Sequence, residues 1–211
     1  QMENFQFAAD PYPGTPLRVG SRGQNVVNMQ QRLNTIANYH RSIPMLTVDG
    51  VFGGKMRESV VAFQKLLSMT VDGVIGEKTW NAIVQISDQY TANPPAAADV
   101  YPGAPLEYGS VGNNVSHMQS HLNNISTYYS CVPKQAQDGR FGTNMKNSVL
   151  AFQCCFGLIE DGVIGVETWD KIVVVSNHLQ LDPPASDEYP GTPLRWGSSG
   201  PSVALMQTYL N

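Results

Sequence analysis

Apolar residues fall three, four and three positions apart after Gly23, at Val26, Met29, Leu33 and Ile36. That spacing gathers all four on one side of a helix. The pattern returns in full as Val115, Met118, Leu122 and Ile125, and its opening returns as Val203, Met206 and Leu210. Polar residues fill the positions between, so each stripe reads as the core-facing side of a surface helix. A second stripe, Val60, Phe63 and Leu67, predicts a helix from Gly54 to about Ser68, and Val149, Phe152 and Phe156 copy it. A third helix is expected from Gly76, and again from Gly165, with Trp80 and Ile83, or Trp169 and Ile172, turned inward. Glu77 in its first turn suits the positive end of the helix dipole.

Between the stripes lie four short polar punctuations. Asp72-Gly73-Val74-Ile75-Gly76 precedes Thr79-Trp80, and Asp161-Gly162-Val163-Ile164-Gly165 precedes Thr168-Trp169. A sister form stands upstream each time, Asp49-Gly50-Val51-Phe52-Gly53 and Asp138-Gly139-Arg140-Phe141-Gly142. The Asp carboxylate can accept the backbone N–H two residues on, the first Gly can take positive φ, and the second can cap the next helix. Phe52, Ile75, Phe141 and Ile164 then plug inward. A calcium loop needs carboxylates at alternate positions, where Val48, Val51 and Val74 stand instead, so these are read as structural pins.

The whole order repeats. Tyr12-Pro13-Gly14 recurs at Tyr101 and Tyr189, and the first two copies align without a gap at an offset of 89 residues. Tyr-Pro-Gly suits a type II turn. Pro201 after Gly200 marks the first helical position, which makes Gly23 and Gly112 the caps. The expected organisation is a lead (1–11), a three-helix repeat (12–90), a linker (91–100), a second repeat (101–179), a linker (180–188) and an incomplete third repeat (189–211) holding the first helix alone. Each linker carries Pro-Pro, and ten such residues reach about 30 Å at full extension. The fold class is all-α, tandem small three-helix domains joined by Pro-rich linkers. An uncovered third helix of about ten residues is marginal in water, so it is expected to rest on a neighbouring chain, the preceding repeat, or a crystal or filament lattice.

Composition narrows the function. The net charge is −4 and only 14% of residues are charged, which leaves no basic footprint for nucleic acid. No apolar run approaches the ~20 residues of a membrane span. Gln1 to Asp10 lacks the basic start and apolar centre of a secretory leader, which fits a mature form, a fragment or another route of export. Low charge, abundant Asn, Gln, Ser and Thr, and the Pro-Pro linkers lean towards an exported protein. Cys131, Cys154 and Cys155 form no repeating framework and leave at least one thiol unpaired within the chain. Cys154 is expected exposed and Cys155 partly buried. His117 and His121 stand four apart on one helix, which permits a two-ligand metal site. Asn28 and Arg32 fill those places in the first repeat, which favours a solvated face, and no metal or other cofactor is expected.

The ordered motifs Gly-Ser-x-Gly-x-x-Val-x-x-Met-Gln-x-x-Leu, Asp-Gly-x-Phe-Gly, Ala-Phe-Gln and Asp-Gly-Val-Ile-Gly-x-x-Thr-Trp resemble the peptidoglycan-binding domain 1 family. They are carried by Gly20–Leu33, Asp49–Gly53, Ala62–Gln64 and Asp72–Trp80, and again by Gly109–Leu122, Asp138–Gly142, Ala151–Gln153 and Asp161–Trp169. The resemblance implies a compact three-helix, non-catalytic module that holds a partner protein on peptidoglycan, at the cell wall or spore surface.

No catalytic constellation emerges from the residues. The glutamines beside the stripes, Gln30, Gln64, Gln119 and Gln153, have two readings: satisfying a loop backbone group, or offering donor and acceptor to an acetamido sugar or peptide stem. Tyr39 and Tyr128, at the end of the first helix, are the aromatic candidates for a carbohydrate edge. Two functions follow. One is non-catalytic binding of peptidoglycan or another wall glycan by tandem modules. The other is a structural subunit of an extracellular assembly, with residues 189–211 docking on a neighbouring chain.

Overall fold

The computed structural model describes residues 10–181. Among these the fold is all-α: six helices and no strand. They are α1 (Gln24–Ala37), α2 (Gly54–Leu66), α3 (Glu77–Ala92), α4 (Asn113–Tyr128), α5 (Thr143–Cys155) and α6 (Val166–Leu181), with a one-turn 3-10 segment at Ala97–Asp99 before α4. Two compact units, one carrying α1–α3 and the other α4–α6, meet along the chain at Val100 and Tyr101. The incomplete third repeat, with Val203, Met206 and Leu210, and its expected self-association lie outside the described residues.

Within each unit the first helix packs chiefly on the third. Every residue of the first stripe is buried in both copies. Trp80, Phe52 and Phe63 in the first unit, with Trp169, Phe141 and Phe152 in the second, are the largest side chains sealed inside. Burying one aromatic or branched side chain contributes about 1.5–3 kcal/mol, so these stripes dominate the favourable side of folding. The second helix is shorter than its stripe predicts. It ends at Leu66, so Leu67 falls past its last turn and is half-buried while Leu66 is covered. Phe156 is likewise half-buried, its ring 4.5 Å from that of Phe152 and 5.1 Å from that of Tyr129.

Backbone pairing outside the helices closes each unit. Leu17 and Ile75 exchange N–H and carbonyl at 3.0 and 2.9 Å, and Leu106 and Ile164 do the same at 3.1 and 2.8 Å. A second bridge pairs Arg22 with Val51, and Val111 with Arg140. The Tyr of each Tyr-Pro-Gly turn sets its ring edge-on to the buried indole, Tyr12 to Trp80 at 6.1 Å and Tyr101 to Trp169 at 5.9 Å. Asp10 takes part in the first unit, its carbonyl accepting from Trp80 Nε1 at 2.7 Å.

Candidate functional site

The four Asp-Gly turns have one construction. Each carboxylate Oδ1 accepts the N–H two residues on: Val51 at 2.9 Å, Val74 at 2.9 Å, Arg140 at 3.0 Å and Val163 at 2.9 Å. The glycines between have φ near +70°, a region that a side chain makes costly. At Gly73 an added Cβ would also lie 2.9 Å from Arg57 Cγ.

A buried glutamine holds each turn from the neighbouring helix. Gln30 Nε2 donates to Asp49 Oδ1 at 2.8 Å and to the Val51 carbonyl at 3.2 Å, while its Oε1 accepts from Gly50 N–H at 2.9 Å. Gln119 repeats this on Asp138, Arg140 and Gly139 at 2.9, 3.1 and 2.8 Å. Gln64 serves the second turn through Asp72, Val74 and Gly73, and Gln153 through Asp161, Val163 and Gly162, all within 3.1 Å. Both ends of all four amides are thereby engaged inside the fold. Of the two readings open to them in the sequence, the geometry displays the satisfaction of loop backbone groups.

The carboxylates are drawn into the same arrangement. The Asp49 carboxyl is held below its ordinary 3.8 first by the Gln30 amide and then by the Val51 N–H, with Arg22 adding a weaker pull. Asp138 is lowered likewise by Gln119, then by the Arg140 N–H, with the Arg140 charge last. Both carboxylates are anionic at neutral pH. A glycosidase acid needs the opposite shift.

Around the first turn of the second unit lies an open, shallow cleft of about 520 Å³, lined by Val111, Gly112, Asn113, Ser116, Gln137, Asp138, Gly139 and Arg140. It sits at the start of α4, where Gly112 supplies no side-chain cap. In the first unit the bridge carries arginine at its first position and valine at its second; in the second unit the order is reversed. Each unit therefore keeps one guanidinium beside the first-turn carboxylate, though the arginine comes from opposite partners of the bridge.

The tyrosines differ between copies. Tyr39 is half-buried with its ring 5.4 Å from Tyr90, whose hydroxyl lies 2.6 Å from His40 Nε2. Tyr128 closes α4 and is 38% exposed. The 16-residue α4 separates it from the cleft by about 22 Å at the helical rise of 1.5 Å per residue. Glutamines, tyrosines and cleft thus do not converge on one site.

Two expectations from the sequence are corrected. His117 and His121 do not form a solvated face: His121 is buried, and the Nε2 atoms of the two rings lie 3.1 Å apart. Cys155 is exposed, because it closes a disulfide with Cys131 at the surface end of α5. Cys154 is exposed, as expected, and is the free thiol, and a hydrogen bond with Glu160, with the Glu160 charge behind it, raises it. A raised thiol is a poor nucleophile at neutral pH.

Two stretches, residues 22–83 and 111–172, match the model of the putative peptidoglycan binding domain, and together they cover more than half of the chain. The chain belongs to that family. Each match opens on the bridge beside the first turn, so the turns, their glutamines and the stripes are the body of the peptidoglycan binding domain as it occurs here. The chain is also 28% identical over 173 residues to the N-acetylmuramoyl-L-alanine amidase CwlM of Mycobacterium tuberculosis. That alignment takes in 79% of this chain and spans 39% of the amidase. No solved structure matches the chain.

Proposed function

We propose that the protein is a non-catalytic peptidoglycan-binding chain whose two domains engage the same polymer. The observation that carries this reading is the pair of family domains, each with an open first-turn face holding one guanidinium (Arg22 or Arg140) beside an anionic carboxylate. Stem peptides of the wall polymer bear carboxylates, and its sugars bear acetamido groups. A guanidinium next to uncapped helix N–H groups suits the former, and the Asp carboxylate is an acceptor for the amide N–H of either. Gln30 and Gln119 act here as positioning residues, through the turn they hold, and Gln64 and Gln153 hold the turn that starts the third helix. Tyr128, and to a smaller extent Tyr39, offers a separate sugar edge at the far end of the first helix. Two weak sites on one chain gain avidity wherever the ligand repeats. The amidase relative supports a setting at the cell wall.

Co-sedimentation with purified sacculi tests the reading. The chain should pellet with the wall, and Arg22→Ala with Arg140→Ala should release it while Tyr128→Ala weakens it less. Failure of the parent chain to pellet removes the proposal. Release of soluble wall fragments by the isolated chain overturns the non-catalytic part.

A further inference from the structure

We propose that His117 and His121 of α4 form a chelating pair for a divalent transition cation of the zinc or nickel class. Spacing four apart places two side chains one above the other on a helix, the arrangement by which helical histidine pairs grip zinc. The geometry goes further than the spacing. Metal–imidazole bonds run about 2.0–2.1 Å, so two nitrogens on one ion at 90–110° stand about 2.9–3.4 Å apart. The Nε2 atoms of His117 and His121 are 3.1 Å apart, with ring planes at 86°. The two Nε2 atoms therefore already stand at the separation that one ion requires.

The pair is also held in place. His121 is buried on α4 against α6, and the His117 ring lies 6.4 Å from that of the sealed Trp169. Ligands fixed by packing lose little freedom on coordination, which favours binding over a pair of mobile surface rings. Imidazole donors select zinc, copper and nickel over magnesium or calcium. The pair belongs to the second repeat alone, since Asn28 and Arg32 stand at these places in the first. In that first repeat a carboxylate meets this face: Asp10 lies 3.0 Å from Arg32, the counterpart of His121. Asp99 is the counterpart of Asp10 in the common register.

The test uses the full, untagged chain carrying Cys154→Ser, so that the exposed thiol binds nothing. Calorimetric titration with zinc chloride or nickel chloride should show one ion per chain. His117→Asn and His121→Arg install the first repeat's own residues, and each should lower the affinity at least tenfold with helix content unchanged. On the unmutated pair, long-range proton–nitrogen spectra should show zinc shifting Nε2 of His117 and His121 while His40 and His178 stay put. Absence of binding overturns the proposal, as does a shift confined to His178. So does affinity that survives both substitutions.

Discussion

The two repeats face one problem, seating the first helix against the third, and they use different side chains for it. In the first, Arg32 Nη1 reaches Asp88 at 2.5 Å and Ser87 Oγ at 2.7 Å, and its other edge meets Asp10 at 3.0 Å. In the second, His121 stands at that position, and Asn124, one turn on, donates to Ser176, the counterpart of Ser87, at 3.0 Å. Tyr90 against His40 in the first gives way to Leu179, and outside that seam Ser42 and Leu66 give way to the Cys131–Cys155 bridge. The turns show no such freedom. Asp, Gly and a buried Gln recur at all four, because positive φ and an amide with donor and acceptor have no equivalent substitute there. A helix seam asks only for buried area and satisfied polar atoms, which many residue sets provide.

The comparison breaks first at the glutamines. Gln64→Leu strands two turn N–H groups and a carbonyl, and Gln153→Leu one N–H and a carbonyl, at about 1–3 kcal/mol per unsatisfied group. Gln64→Leu should cost its repeat about 4 kcal/mol and Gln153→Leu about 3 kcal/mol, the difference following the one extra N–H. Urea unfolding, with amide exchange assigning the loss to a repeat, checks this; a loss below about 1 kcal/mol in either copy means that water replaces the amide.

Next in size is the bridge that only one repeat owns. Cys131 and Cys155 are 24 residues apart, and closing such a loop in the unfolded chain is worth about 3 kcal/mol. Cys131→Ser with Cys155→Ser should destabilise the second repeat by that order and leave the first untouched. An equal fall in both would show that the repeats do not unfold independently.

Arg32→Met comes third. It removes an ion pair to each of two carboxylates on a side chain 18% exposed, and partly exposed pairs are worth up to about 1 kcal/mol. The first repeat should lose about 1–2 kcal/mol, less at high salt, while His121→Met leaves this salt dependence unchanged.

The smallest effect is shared. The Asp49 and Asp138 carboxyls are lowered in the fold, by glutamine first and backbone second. A depressed carboxyl contributes stability above its unfolded value and loses it as pH falls through its folded value. Melting temperature should therefore hold from pH 7 to about 5 and decline below about 4 in both repeats. Asp49→Asn and Asp138→Asn, which keep an acceptor oxygen, should flatten the decline; an unchanged slope would place its source elsewhere.

What could be read in the sequence follows the same division. Helix faces came from spacing within ten residues and turns from five, so both were visible along the chain. The swap of Arg22–Val51 into Val111–Arg140 was not, because the compensation is made across a bridge between residues 29 apart. Nothing in the spacing marks Asn34 and Asn123, yet each exchanges two hydrogen bonds with the loop, at Leu46 and Gln135. The histidines were misjudged by analogy with Arg32, itself assumed solvated, whereas its guanidinium is held on α3 by Ser87 and Asp88. The family's ligand left the weakest trace, since the matching residues are nearly all turn and core.

The bridge between Leu17 and Ile75 has a mechanical consequence. A chain pulled at both ends loads each domain from its first segment and from the end of its third helix. The load runs back through the third helix to its start, where two antiparallel hydrogen bonds tie the stretch just before it to the first segment. The 57 residues between Leu17 and Ile75, or between Leu106 and Ile164, therefore carry no tension while the bridge holds. Both turns, α1 and α2 sit inside that slack loop in the first domain, and α4 and α5 in the second. When the bridge parts, the loop pays out up to roughly 200 Å of chain at about 3.4 Å per residue, and each domain behaves as a fuse with stored length.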